Sequence, residues 1–210
     1  MLRVDDAQAV LPDGVSVPAG IPDEIFAAAV DTFVAGQRLD MRSLARRLGV
    51  ARATLYRRAG NREHLLDELL WWRARRLLVD QVQATAALAG TERLVAAIGG
   101  VLRAIARDRP LRAFLESDPE TALRLLTGTG STVHRGTARA LERLIDAERG
   151  RGCFDASLDT PTLAYAIVRI SEGFLYADVI ADRAPDIDRA VTLIEALLNG
   201  LDRQSVLIER

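Results

Sequence analysis

A chain of 210 residues, 49% of them hydrophobic and 27% charged, can bury a sizeable core and is not disordered throughout. Its net charge of −1 excludes a general nucleic-acid coat, and one cysteine, Cys153, excludes an intrachain disulfide framework. The histidines, His64 and His134, lie far apart in the chain. The sequence therefore predicts no metal site and no bound cofactor.

The first stretch, residues 1–20, contains Asp, Gly and Pro without periodicity, and we expect a flexible N-terminal arm. It lacks the charged start and apolar core of a secretory signal. The longest apolar run, residues 94–102, is far too short to span a membrane. These features predict a cytoplasmic protein without a membrane partner.

Residues 21–66 carry the pattern of a small helical domain. Helices are predicted over residues 22–36, 40–49 and 51–59, with Asp40 as the N-cap of the second and Asn61 as the N-cap of a long fourth helix. The second and third helices are short and are joined through a glycine turn. This arrangement is typical of a helix-turn-helix.

The same region is strongly basic. Residues 36–63 contain eight arginines against two acidic residues, a local balance of +6, while the rest of the chain has a balance of −7. The eight arginines are Arg38, Arg42, Arg46, Arg47, Arg52, Arg57, Arg58 and Arg62. A basic module on an acidic body favours binding of phosphate at one end of the molecule.

The third helix is the candidate reader of the DNA major groove. Leu55 is expected to face the other helices, which leaves five residues toward DNA: Arg52, Ala53, Thr54, Tyr56 and Arg57. Arginine can pair bidentately with guanine, and hydroxyl groups can reach phosphates. Arg42 faces outward from the second helix. A solvated basic hairpin that does not bind DNA is the alternative that the spacing leaves open.

The segment LARRLGVARATLYRRAGNREHLL, residues 44–66, resembles the N-terminal domain of TetR-family regulators. The resemblance covers about the first 70 residues. It implies a homodimer that reads a pseudo-palindromic operator in double-stranded DNA, a phosphate contact from Arg62, and a ligand pocket and dimer interface in the C-terminal helices. Two positions depart from the family pattern: Ala51, often a capping serine, and Ala59, usually a bulky aromatic residue.

Residues 67–210 predict further helices and no strands, which makes the fold all-α: an N-terminal three-helix domain followed by a helical bundle for ligand binding and dimerisation. The ninth helix, residues 160–181, and the tenth, from Asp186, are expected to pair across a dimer interface. Residues 164–178 also resemble the QsdR-like subgroup, which implies an apolar or lactone-like effector.

Candidate ligand-binding residues lie in the C-terminal part. Four of them follow one another on the ninth helix at i, i+4, i+7 and i+11, a polar yet aromatic stripe that could line a pocket. The full set is Trp72, Phe114, His134, Tyr165, Arg169, Glu172 and Tyr176. The alternative is structural: an Arg169–Glu172 ion pair beside half-buried tyrosines, and a His134 satisfied by neighbouring residues.

The sequence thus predicts a DNA-binding transcriptional regulator, a repressor released from its operator by a small-molecule effector. The alternatives are a TetR-like activator and a helical adaptor that binds no DNA. An enzyme is not expected because the chain has no cofactor glycine loop, no nucleophile–base pair and no paired Glu-x-x-His motif.

Overall fold

A computed structural model of the protein describes residues 18–177, 181 and 183–202. Within these ranges the chain is all-α, as predicted, and no strand is present. The helices are α1 (Asp23–Val34), α2 (Met41–Arg47), α3 (Arg52–Ala59), α4 (Arg62–Ala84), α5 (Gly90–Ala106), α6 (Arg109–Ser117), α7 (Pro119–Thr127), α8 (Thr132–Gly150), α9 (Thr160–Glu172) and α10 (Ile187–Leu201). Except for residues 18–20, the predicted N-terminal arm lies outside the described residues.

Side-chain caps explain where several helices begin. The Asp40 carboxylate accepts a hydrogen bond from Ser43 N at 2.8 Å, and this bond holds the pKa of Asp40 below its usual value. Asn61 Oδ1 accepts from His64 N at 2.8 Å. Both caps were predicted. α5 begins at Gly90 with Ala89 as its N-cap and no side-chain cap, and the Thr91 hydroxyl bonds to Asp202.

Ala51 is the N-cap residue of α3, has extended backbone angles and makes no side-chain cap. Ala51→Ser should therefore supply the missing acceptor and raise the free energy of unfolding by about 1 kcal/mol. In a chain of this size the midpoint of thermal unfolding should rise by roughly 2–4 °C. Ala51→Val, which adds volume but no acceptor, is the matched control, and an equal rise in both variants would contradict the capping explanation.

The N-terminal domain and the bundle share one long helix. The predicted boundary between residues 66 and 67 falls inside α4, whose first turns belong to the core of the small domain and whose remainder packs against α5 and α8. The side chain of Trp71 lies directly against Gly136 of α8, where an added Cβ would stand 2.5 Å from the indole ring. A glycine at this position allows the close packing of α4 on α8.

The ninth helix does not continue regularly. After Glu172 the backbone forms a π-helical segment, Gly173–Ala177, and residues 178–180 lie outside the described residues. A π-helical turn rotates the following side chains away from the positions of an α-helical spacing, and such turns are frequent at functional sites. No described helix combines the length and apolar character needed to cross a membrane.

Candidate DNA-binding surface and ligand cavity

The third helix presents one face to solvent. Leu55 is fully buried, as predicted, whereas Arg52, Ala53, Tyr56 and Arg57 are exposed. The exposed fraction of Tyr56 is 42%, so its ring is accessible to a partner. This face combines two cations, a hydroxyl group and a small residue that permits close approach.

Thr54 lies differently from the other predicted contacts. Its side chain is half-buried and lines a shallow depression with Ile25 of α1 and Leu48 after α2. Part of the threonine therefore packs against the other helices of the domain. Its contact with DNA stays a prediction.

The basic residues of the domain divide into paired and unpaired groups. Arg47 Nη2 bonds to Asp31 Oδ2 at 2.7 Å, and Arg58 lies 3.7 Å from a Glu24 carboxylate oxygen on α1. Arg42, Arg52 and Arg57 form no ion pair with any described residue. The positive charge available to phosphate or guanine is thus concentrated on α2 and α3.

Arg62 has partners other than the predicted phosphate. Its Nε donates to the Leu39 carbonyl at 2.7 Å and its Nη1 to Asp118 Oδ2 at 2.9 Å, so the guanidinium joins the small domain to the start of α7. Desolvation opposes ionisation of Asp118, but hydrogen bonds from Thr121 and Arg62 outweigh it and lower its pKa. Arg62 therefore forms an interdomain bridge, and its contact with a DNA phosphate stays a prediction.

A cavity of about 120 Å³ lies inside the C-terminal bundle, enclosed mainly by α4, α5, α8, α9 and the π-helical segment. Most of its walls are aliphatic, contributed by Leu70, Leu77, Leu78, Val82, Ala97, Ile98, Val101, Leu102, Ile105, Leu111, Leu126, Val133, Ala140, Leu141, Leu144, Ile167, Val168 and Leu175. Concave sites lined by apolar side chains with a few polar groups are typical of small-molecule binding.

One polar cluster of the wall contains two of the predicted residues. His134 Nδ1 lies 2.7 Å from Glu172 Oε1, and Arg169 Nη1 donates to Glu172 Oε2 at 2.8 Å. The same Nη1 also donates to the Thr127 carbonyl at 3.0 Å. His134 and Glu172 line the cavity while Arg169 supports Glu172 from outside it. The predicted Arg169–Glu172 ion pair therefore holds a residue of the cavity wall in place.

Tyr176 also lines the cavity and is buried. Burial raises the pKa of its phenol, and the neighbouring Glu172 carboxylate raises it further. The hydroxyl group stays protonated at neutral pH and can donate a hydrogen bond.

Four predicted ligand residues do not line the cavity. Tyr165 is 50% exposed on α9, where its ring lies beside the Arg169 guanidinium and meets the His134 ring edge-on at 6.3 Å; Tyr176 belongs to the π-helical segment that follows α9. Trp72 meets Phe26 of α1 edge-on, with ring centroids 5.6 Å apart, because it points toward the small domain. Phe114 packs in the same way on Phe33, at 5.9 Å. Trp72, Phe114, Tyr165 and Arg169 thus lie outside the cavity wall, and their contact with a ligand stays a prediction.

The sequence reasoning missed a second polar pair in the wall. Arg73 forms an ion pair with Asp108, and its guanidinium lies 5.5 Å from the centroid of the Phe33 ring in α1. Arg73 follows Leu66 and Leu70 at helical spacing, so an arginine inside an apolar stripe was the available signal. This pair touches both the cavity and the small domain.

The comparisons with known proteins agree with this architecture. Residues 25–69 match the family described as bacterial regulatory proteins, tetR family, and residues 89–199 match the tetracyclin repressor-like C-terminal domain. No curated protein matches the chain.

Among solved structures, the transcriptional repressor QsdR of R. erythropolis is 32% identical, with a TM-score of 0.76 over 85% of this chain and 94% of that one. AlkX of Dietzia sp. strain DQ12-45-1b, a TetR family repressor implicated in biodegradation of n-alkanes, is 22% identical with a TM-score of 0.60, covering 87% and 100%. FadR of Bacillus subtilis, solved with stearoyl-CoA, is 18% identical with a TM-score of 0.58, covering 85% and 98%. The last two similarities show the fold alone.

The matched domains cover most of the chain, and the helix-turn-helix and the C-terminal bundle stand where the family has them. The protein belongs to the TetR family of DNA-binding transcriptional regulators.

Proposed function

We propose that this protein is a homodimeric repressor, acting in the cytoplasm without catalytic activity, that leaves its operator when a small apolar molecule enters the cavity of the bundle. The observation that carries the proposal is the double contact of Arg73, which lines the cavity and lies over Phe33 of the DNA-binding domain. A lactone-like effector, implied by the QsdR-like resemblance, is one member of this class of ligand.

Arg52 and Arg57 are the residues proposed to read DNA bases. Ala53 and Tyr56 would lie at the surface of the major groove, and Arg42 would lie near the phosphate backbone of the DNA. Arg57→Ala should weaken binding to the preferred operator by about 1–3 kcal/mol, roughly a tenfold to hundredfold increase in Kd, with little change on unrelated duplexes. The operator is first selected from random duplex DNA, and gel shifts at fixed salt then measure both affinities.

Arg47→Ala is the control, since Arg47 is held by Asp31 on the side of the domain. Selection of no preferred duplex would contradict operator binding. Equal affinities for wild type and Arg57→Ala would contradict the assignment of α3 as the reading helix.

The proposed dimer interface lies on α9 and α10, which pack against each other and leave Tyr165 and Leu193 exposed by 50% and 47%. Exposed large side chains on neighbouring helices favour burial against a second copy. A two-fold axis would set two α3 helices about 34 Å apart on DNA. Leu193→Glu should shift the protein to a monomer, as measured by light scattering, and weaken operator binding; a stable dimer would place the interface elsewhere.

Release is proposed to follow from a population shift. An occupant of the cavity contacts Arg73 and Asp108, and the ion pair they form sits between the cavity and Phe33. A ligand that binds better when this pair is displaced favours an orientation of the small domain that does not fit DNA.

A further inference from the structure

The charged groups in the cavity wall are all matched by a partner. Among the described lining residues these groups are Arg73, Asp108 and Glu172, with His134 as the one imidazole. Arg73 pairs with Asp108, and Glu172 is bound by Arg169 at 2.8 Å and by His134 at 2.7 Å. A charged ligand would therefore have to displace a partner or remain unpaired.

A carboxylate is the least suitable head group for this cavity. The side chain of Glu172 is 10% exposed and that of Asp108 is 12% exposed, so both negative charges stand in surroundings where water screens them poorly. A buried carboxylate without its own cation is costly, and here it would also meet like charge.

An uncharged head group finds partners instead. Ser171 Oγ donates to the Ile167 carbonyl at 2.8 Å, which leaves its oxygen lone pairs as acceptors toward the cavity that Ser171 lines. Tyr176 and Thr137, which also have hydroxyl groups, line the same cavity. A ligand hydroxyl group can both donate to and accept from such groups.

The size of the cavity limits the length of the apolar part of the ligand. A volume of about 120 Å³ corresponds to roughly ten water-sized sites of about 10–15 Å³ each. A molecule of about ten non-hydrogen atoms, with an unbranched aliphatic body, suits the leucine-rich walls.

We propose that Glu172, held by His134 and Arg169, makes this cavity selective for uncharged medium-chain aliphatic ligands with one hydrogen-bonding head group, and makes it reject carboxylates. This inference rests on the proposed effector site and assigns its specificity to one residue.

The test compares three eight-carbon probes on the full-length protein by isothermal titration calorimetry at pH 7.5: 1-octanol, octanoate and octylamine. We expect 1-octanol to bind at least tenfold more tightly than either charged probe. Octanoate or octylamine binding as tightly as the alcohol would overturn the inference, as would the absence of 1-octanol binding.

Glu172→Gln should increase the affinity for octanoate, and damage to the fold cannot produce such an increase. Without this carboxylate, the cavity wall loses one negative charge and the His134 imidazole loses its carboxylate partner, so affinity for octanoate should rise at least tenfold. Glu195→Gln, on the exposed side of α10, is the matched control and should leave all three affinities unchanged. An unchanged octanoate affinity in a folded Glu172→Gln protein would overturn the role of Glu172; if that variant does not fold, the wild-type comparison decides.

Operator affinity without any probe is measured on the same samples. If the wild type does not bind the operator in the absence of a probe, the proposed function itself is contradicted. Intact DNA binding together with a preference for octanoate would contradict only the inferred ligand class.

Discussion

Replacing Glu148 with alanine is expected to lower the free energy of unfolding by about 3–5 kcal/mol, because it breaks a buried ion pair and leaves its cation in the interior. Glu148 is fully buried and Arg93 is 1% exposed. Arg93 Nη1 donates to Glu148 Oε1 at 2.8 Å, and Gly90 N donates to Oε2 at 2.8 Å. The carboxylate thus holds the beginning of α5 against the end of α8.

The junction between α5 and α8 has no room for a side chain at Gly90. Its φ is +58°, and a Cβ there would stand 2.3 Å from the Cys153 carbonyl oxygen, so the chain can take this path only with glycine. The Glu148 carboxylate satisfies the Gly90 N–H at this tight turn. In Glu148→Ala the N–H loses this acceptor, and Arg93 and Arg151 each lose an ion pair with the carboxylate, at 2.8 and 2.7 Å.

Thermal and denaturant unfolding of wild type, Glu148→Ala and Glu142→Ala would measure the effect. Glu142 is on the same helix, is half-buried and makes no ion pair with a described residue, so its replacement should cost far less. The double variant Arg93→Met with Glu148→Leu should recover only part of the loss, since it removes the buried charges of Arg93 and Glu148 together but still takes the acceptor from Gly90 N and the carboxylate from Arg151. A loss below about 1 kcal/mol in Glu148→Ala would show that the pair is not a major stabilising contact.

Local chemistry explains which parts of the fold were predictable. Asp40, Asn61 and Asp186 act through hydrogen bonds to backbone N–H groups three residues along the chain, so the sequence contains both partners. The apolar spacing of α1 to α4 and the glycine turns are equally local. These features predicted the helix-turn-helix and the all-α class correctly.

The cavity was less predictable because its residues come from distant segments. Glu172 and His134 were selected as separate candidates, but their contact at 2.7 Å joins positions 38 residues apart. Spacing along one helix placed Tyr165 and Tyr176 on the same stripe, but Tyr176 lies within the π-helical segment and is buried, whereas Tyr165 on α9 is exposed. A change of helical period inside a segment leaves no signal in apolar spacing.

Arg62 shows a second limit. A family resemblance identifies the residue that corresponds to a family position, but the groups which that side chain contacts depend on the rest of the chain. Here Asp118, 56 residues away, supplies a carboxylate 2.9 Å from the guanidinium. Asp118 directly precedes Pro119 at the start of α7, and nothing in its local sequence indicates an interdomain contact.

Filling the cavity should separate DNA binding from release. Ala140 is 2% exposed and lines the cavity from α8, so Ala140→Leu places three further carbon atoms in a space of about 120 Å³. We expect operator affinity to stay within about twofold of wild type and the effector concentration needed for release to rise more than a hundredfold, about 2.8 kcal/mol, since bound ligand and side chain would occupy the same volume. Ala147→Leu, two turns along α8 and outside the cavity, is the matched control. DNA-release titrations with a ligand active on the wild type measure both effects.

Release of Ala140→Leu from DNA at the effector concentration that releases the wild type would place the effector site elsewhere, because an apolar cavity cannot accommodate the added side chain and the ligand together without overpacking.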